Sequence, residues 1–162
     1  MRLRLVALFV LSAFFATEAK AEVVDLSNPE SVAAALRALG RDAKVWFNPV
    51  DDFTGFLRTA TAEGAAYQVL IDGCKKRVRC RWVSFRGGFR LPEVPAAKMD
   101  ALAKQWNAGK LMGFAMVGMN QEGWDMSLVH EIEPRALDAA DFTALIRAWD
   151  TTFSKFETHV GH

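Results

Sequence analysis

The sequence predicts an α+β fold, a two-layer sandwich in which an antiparallel sheet carries its helices on one face, in the order α-β-β-β-β-α-β-β-α. Three observations lead to it. Apolar residues recur at helical spacing in three separate segments, the apolar period drops to two between them, and turn residues punctuate the strand-like runs at hairpin distances.

Ahead of these elements, residues 1–21 have the order of a secretory leader. Arg2 and Arg4 precede an apolar run over 5–16, and Ala19-Lys20-Ala21 supplies a small-residue cleavage site, with processing expected after Ala21. The apolar run is about 12 residues against the roughly 20 of a bilayer-spanning helix, so no permanent membrane anchor is expected. The first cysteine is Cys74, which leaves no cysteine for lipid attachment at the cleavage point. Residues 22–162 then form a single domain, and removing the leader takes the formal charge from +1 to about −1.

The first helix is predicted over 29–39. Asn28 caps it, Pro29 suits its first position, Val32, Ala35, Leu36 and Leu39 share a stripe, and Gly40 stops it. Strands follow near 43–48, 54–61, 66–72 and 78–86, separated by Pro49 to Asp52, by Glu63-Gly64 and by Asp72-Gly73. In the last of these strands, alternation puts Trp82 on the face of Cys80 and Val83 with Phe85 on the other. Met99, Leu102, Ala103 and Trp106 mark a second helix, ended by 107–109. A second hairpin is expected from strand-like runs at 111–119 and 124–132 around Asn120-Gln121-Glu122-Gly123. Pro134 ends the sheet and Asp138 caps the last helix.

An exported chain folds where thiols oxidise, and two cysteines allow one intramolecular pairing. Cys74 and Cys80 are therefore expected as a structural disulfide closing the hairpin between the third and fourth strands. A redox-active pair or free thiols are the alternatives. On the chain-entropy model so short a loop stabilises the fold by about 2 kcal/mol.

Four candidate chemistries follow. The stretch 73–92 holds Lys75, Lys76, Arg77, Arg79, Arg81, Arg86 and Arg90 and no acid. It reads as a solvated turn paired with the protein's own acids or as a site for an anionic envelope component through Lys75, Lys76, Arg77, Arg79, Arg81 and Arg86. Trp82, Phe85 and Phe89 among these bases suit nucleic-acid stacking, but an exported protein seldom meets nucleic acid, and none is expected as a partner. Met112, Met116, Met119, Met126 and His130 hold soft donors on the second hairpin, where core packing is favoured over copper and no metal is expected. For catalysis, His159 and His162 fall on a terminus expected to fray, and Asp51-Asp52 and Glu131 to Glu133 are acidic pairs expected to be solvated. No metalloprotease, nucleophile-elbow or phosphate-loop motif occurs, so no enzyme and no cofactor are expected. The last helix carries Phe142, Leu145, Ile146, Trp149, Phe153 and Phe156 as a wide stripe. It is expected to pack on the sheet, with Trp149, Phe153 and Phe156 as the candidate surface for a partner or a homodimer.

Taken in order, the segment 31–40 (Ser-Val-Ala-Ala-Ala-Leu-Arg-Ala-Leu-Gly), Gly73-Cys74, Cys80-Arg81 with Phe85 and Gly88-Phe89, Trp106-Asn107 with Gly113, and the closing 149–156 helix are similar to the YbjN domain family. The resemblance extends over nearly all of 22–162. It implies a fold like that of type III secretion chaperones and a role described as sensory transduction regulation, and it identifies no reaction. The loop Lys75-Lys76-Arg77-Val78-Arg79 is basic where relatives are often acidic or glycine-rich. The expectation is a non-enzymatic periplasmic domain acting through protein contacts, chaperone-like or regulatory, with an anion-binding envelope module as the alternative.

Overall fold

A computed structural model describes residues 23–50, 53–109, 111–118 and 125–162. It is an α+β fold with eight strands and three helices among the described residues: β1 (Val23–Asp25), α1 (Pro29–Ala38), β2 (Lys44–Phe47), β3 (Gly55–Ala60), β4 (Ala66–Asp72), β5 (Trp82–Phe89), α2 (Ala96–Ala108), β6 (Phe114–Val117), β7 (Met126–Ile132), β8 (Ala136–Asp138) and α3 (Ala139–Val160). Six strands form an antiparallel sheet in the order β2-β3-β4-β5-β7-β6, and the helices lie on one of its faces. The predicted helices and strands are all present, with ends displaced by a few residues. The leader at 1–21, Asp51-Asp52, Met119 and the turn at 120–123 with Trp124 lie outside the described residues.

Two elements go beyond the predicted order. β1 and β8 pair as a separate two-stranded sheet, with Val24 opposite Leu137. Three-residue strands are too short for alternation to show, and their pairing is a long-range event. The pair brings the entries of α1 and α3 side by side, and Leu26, just beyond β1, is fully buried and donates its N–H to the Arg135 carbonyl at 3.0 Å.

The helix caps follow the sequence. Asn28 accepts the Glu30 N–H at 3.1 Å with Pro29 at the start of α1, and Asp138 accepts the Asp141 N–H at 2.7 Å at the start of α3. The core is the inward face of the sheet against α3. Trp149 packs between Tyr67 and Phe85, with ring centroids at 5.6 and 5.5 Å. Phe153 stacks on Phe89 at 5.2 Å, and Phe156 meets the Trp106 ring edge-on at 5.1 Å. A Cβ at Gly87 would stand 2.3 Å from Phe153, so a glycine there is what lets the helix close on β5.

This packing corrects two expectations. Trp149, Phe153 and Phe156 are fully buried and offer no partner surface, because the sheet itself consumes the aromatic stripe. The C-terminus is docked: His159 Nε2 lies 2.9 Å from the Leu102 carbonyl, and the His162 ring is 4.5 Å from Phe89.

Arg41 and Asp150 supply a polar tie through the same layer. The guanidinium binds the Asp150 carboxylate with both terminal nitrogens, and Nη1 also donates to the Ala60 carbonyl at 2.7 Å and lies 3.3 Å from the Tyr67 hydroxyl. The hydrogen bond that Arg41 donates to Asp150 raises the Arg41 pKa despite partial burial. Burial pushes the Tyr67 hydroxyl well above its ordinary range, against the opposing pull of Arg41.

Candidate functional site

Cys74 and Cys80 are joined, with the sulfurs 2.11 Å apart, in the connection between β4 and β5. Within the bridge, Lys75 and Val78 exchange backbone hydrogen bonds at 2.7 and 3.2 Å, closing a two-residue turn over Lys76 and Arg77. Both turn residues have positive φ, 53° and 63°, as a type I′ turn requires. Asparagine and glycine usually occupy such positions. Here Lys76, Arg77 and also Arg79, at φ 53°, hold a left-handed backbone that costs about 1–2 kcal/mol for each ordinary residue. The bridge and two external anchors hold the conformation: Cys74 N–H donates to the Phe53 carbonyl and Cys80 N–H to the Ser27 carbonyl, each at 2.9 Å. Asp72 braces the base, accepting from the Thr54 hydroxyl at 2.8 Å and the Gly73 N–H at 2.7 Å.

Lys75, Lys76, Arg77, Arg79 and Arg81 are all exposed. No carboxylate of the described residues is within ion-pair distance of Lys75, Lys76, Arg79 or Arg81. Arg77 instead places its guanidinium 5.0 Å from the Phe47 ring, tying the hairpin to the edge strand β2. Arg86 does not join this group. It sits within β5, half-buried, donating through Nε to the Ser84 hydroxyl at 2.9 Å. Cys80 and Trp82 do not share a face either, since the chain bends at 80–81 before β5 begins: Cys80 is buried while Trp82 is 59% exposed.

The sheet face away from the helices is the second feature. The registers align Trp46, Phe56, Leu70, Ser84 and Glu131 in one row and Lys44, Arg58, Gln68 and Arg86 in the next. Trp46 stacks on Phe56 at 5.8 Å and has the Lys44 ammonium 5.6 Å from its ring. Phe114 and Met116 extend this face, with Met116 48% exposed. This surface was missed from sequence, although the exposed-phase residues of each predicted strand, read together, contain it.

The remaining candidates do not converge. Met126 is fully buried, Met116 is on the open face, Met112 lies beneath Thr152, and His130 faces inward opposite Phe85. Burial lowers the His130 pKa below its ordinary 6.5. Among the described residues no three His, Cys, Asp or Glu side chains cluster as metal ligands do. Glu131 is exposed on the open face and Glu133 beyond β7.

A similar fold occurs among known structures. An uncharacterized protein from Methanothermobacter thermautotrophicus, solved by crystallography, is similar with a TM-score of 0.51 over 82% of this chain and 98% of that chain, at 11% identity. That likeness is one of fold. No family model and no curated protein matches the chain. Among the described residues no helix is long and apolar enough to cross a membrane.

Proposed function

We propose that this chain is an exported, non-enzymatic domain of the YbjN type that works through protein contacts, as a chaperone-like or regulatory module. The observation that carries the reading is the open sheet face. All three helices pack on the opposite side, and Trp46, Trp82, Phe114 and Met116 remain exposed. Large apolar side chains gathered on one face mark interaction surfaces. The Cys74–Cys80 bridge fits an oxidising compartment such as the periplasm, in line with the leader-like order of residues 1–21. A photo-crosslinking residue placed at Trp82 or Met116 in the intact periplasm is expected to capture a protein, either a second copy or another envelope protein. The same residue at Arg147, on the exposed side of α3, is expected to capture none. Equal capture at all three positions, or capture at none, overturns the reading.

A second reading has its own support. Four cations held in a disulfide-closed loop, three of them on left-handed backbone, with Arg81 beside it, suit an anionic envelope component, and Lys75, Lys76, Arg79 and Arg81 have no carboxylate partner among the described residues. Arg86 is not part of that set.

A further inference from the structure

The two edges of the six-stranded sheet are built differently, and the difference follows from the hydrogen-bond phase of the ladders. Asn48 N–H donates to the Thr54 carbonyl at 3.1 Å, so that pair is of the hydrogen-bonded type. Antiparallel pairs alternate. With the observed register, Trp46 with Phe56 and Lys44 with Arg58 are bonded pairs, while Val45 and Phe47 turn their N–H and C=O groups away from β3. Ala43, in the same outward phase, has its carbonyl occupied by Arg37 Nη1 at 2.7 Å. The backbone groups of Val45 and Phe47 have no hydrogen-bond partner among the described residues. On the far edge the equivalent outward residues are Ala115 and Val117. There Asn107 supplies both partners, donating to the Ala115 carbonyl at 3.0 Å and accepting its N–H at 2.7 Å, much as another strand would. Asn107 thus occupies the Ala115 position of one edge and leaves only Val117 outward there, while the other edge presents two donors and two acceptors in strand spacing.

A groove of about 500 Å³ runs beside the open edge, lined by Val45, Trp46, Phe47, Pro49, Arg77 and Val78 with Asn28 and Glu30. Glu30 is the carboxylate of that lining. Arg77 is the cation of that lining, Lys44 begins the edge strand with its ammonium 5.6 Å from the Trp46 ring, and Lys75, Lys76 and Arg79 belong to the same hairpin as Arg77 and Val78.

From this juxtaposition we infer that β2 is a docking edge for an extended acidic peptide segment of a partner protein, which adds as a seventh strand beside Val45 and Phe47 with carboxylates toward the disulfide hairpin. The inference rests on the reading of the domain as a protein-contact module and names the surface and the class of partner. Main-chain hydrogen bonds provide the attachment in strand addition, and alternate side chains provide selection. Here selection comes from the apolar groove and the excess of cations around it.

The test uses the exported, disulfide-bonded protein and three synthetic octapeptides: alternating Val and Glu, alternating Val and Lys, and the Val-Glu peptide N-methylated at every residue. The Val-Glu peptide is expected to bind and to slow hydrogen exchange at the Val45 and Phe47 amides, and the other two are expected not to bind. Val45→Pro removes one outward donor that the β2–β3 ladder does not use and should weaken binding about tenfold. Because the Val45 side chain also packs on the core, this variant should lose some stability while keeping its fold, which thermal unfolding checks. Lys44→Glu with Lys76→Glu should weaken the Val-Glu peptide and admit the Val-Lys one. Equal binding of the N-methylated peptide with unchanged exchange would mean charge attraction to the hairpin alone. That result overturns strand addition while leaving the protein-contact reading intact. If none of the peptides binds, the inference falls, and crosslinking from Trp82 judges the broader reading separately.

Discussion

Arg41 and Asp150 sit 109 positions apart and meet where the end of β3, the β4 tyrosine and α3 converge. Neither residue has a sequence signal, since an arginine after a helix stop and an aspartate in an amphipathic helix both read as solvated. Their side chains are only 12% and 10% exposed, so cutting one partner strands the other charge. Asp150→Ala is expected to lower unfolding stability by about 3 kcal/mol, whereas replacing Arg41 and Asp150 together by Met and Leu should cost far less. Urea unfolding of the three variants decides it. His130 makes stability depend on pH. Its folded pKa is below 6.5, so the unfolded chain takes up the proton first. The histidine's contribution to stability is complete above about 6.5 and is lost as pH falls through the lowered folded value. His130→Gln should flatten the fall in melting temperature below pH 6.5 relative to the parent, and an unchanged slope would refute the assignment.

At the scale of elements, α3 shows how a helix and a strand are matched. The residues Phe142, Ile146, Trp149, Phe153 and Phe156 are legible as one stripe, but what they meet is not. Gly87-Gly88 reads in sequence as the start of a loop, and the pair instead lies within the last part of β5, paired with Leu128 and Ser127. The missing side chain is filled by Phe153 from across the layer, 66 positions later. Gly87→Ala is expected to destabilise by about 1–3 kcal/mol through overpacking. Phe153→Leu added to Gly87→Ala should cost less than the sum of the two single changes, a coupling readable by thermal unfolding. The disulfide hairpin is the reverse case. Spacing and compartment made the bridge and its place between two strands readable, while the left-handed backbone of Lys76, Arg77 and Arg79 was not, because sequence preferences argue against those residues at those angles.

For the whole molecule, placing the three described helices on one side of an antiparallel sheet leaves the other side of that sheet to water or to a partner. The exposed cations and the open face lie on a chain of small net charge, so any attraction for anions is local to the hairpin. If the hairpin binds phosphate-rich envelope material, affinity for anionic vesicles should fall steeply between low and physiological salt, where the screening length shortens from about 30 Å to 8 Å. Lys75→Glu with Lys76→Glu and Arg79→Glu should abolish it, and binding that survives both changes would exclude the cationic turn. By itself the sequence determined the α+β class, the three helices and their caps, the meander, and the single bridge, because these depend on periodicity, turn chemistry and cysteine count, all of which act over a few residues. Tertiary structure alone decided that Trp149, Phe153 and Phe156 are core and Arg86 is apart from the hairpin. It also decided that β1 and β8 pair, that Asn107 caps Ala115 on one sheet edge, and that Val45 and Phe47 leave the other open. Each of those depends on register and on contacts between segments distant in the chain, where a shift of one residue turns an inward group outward.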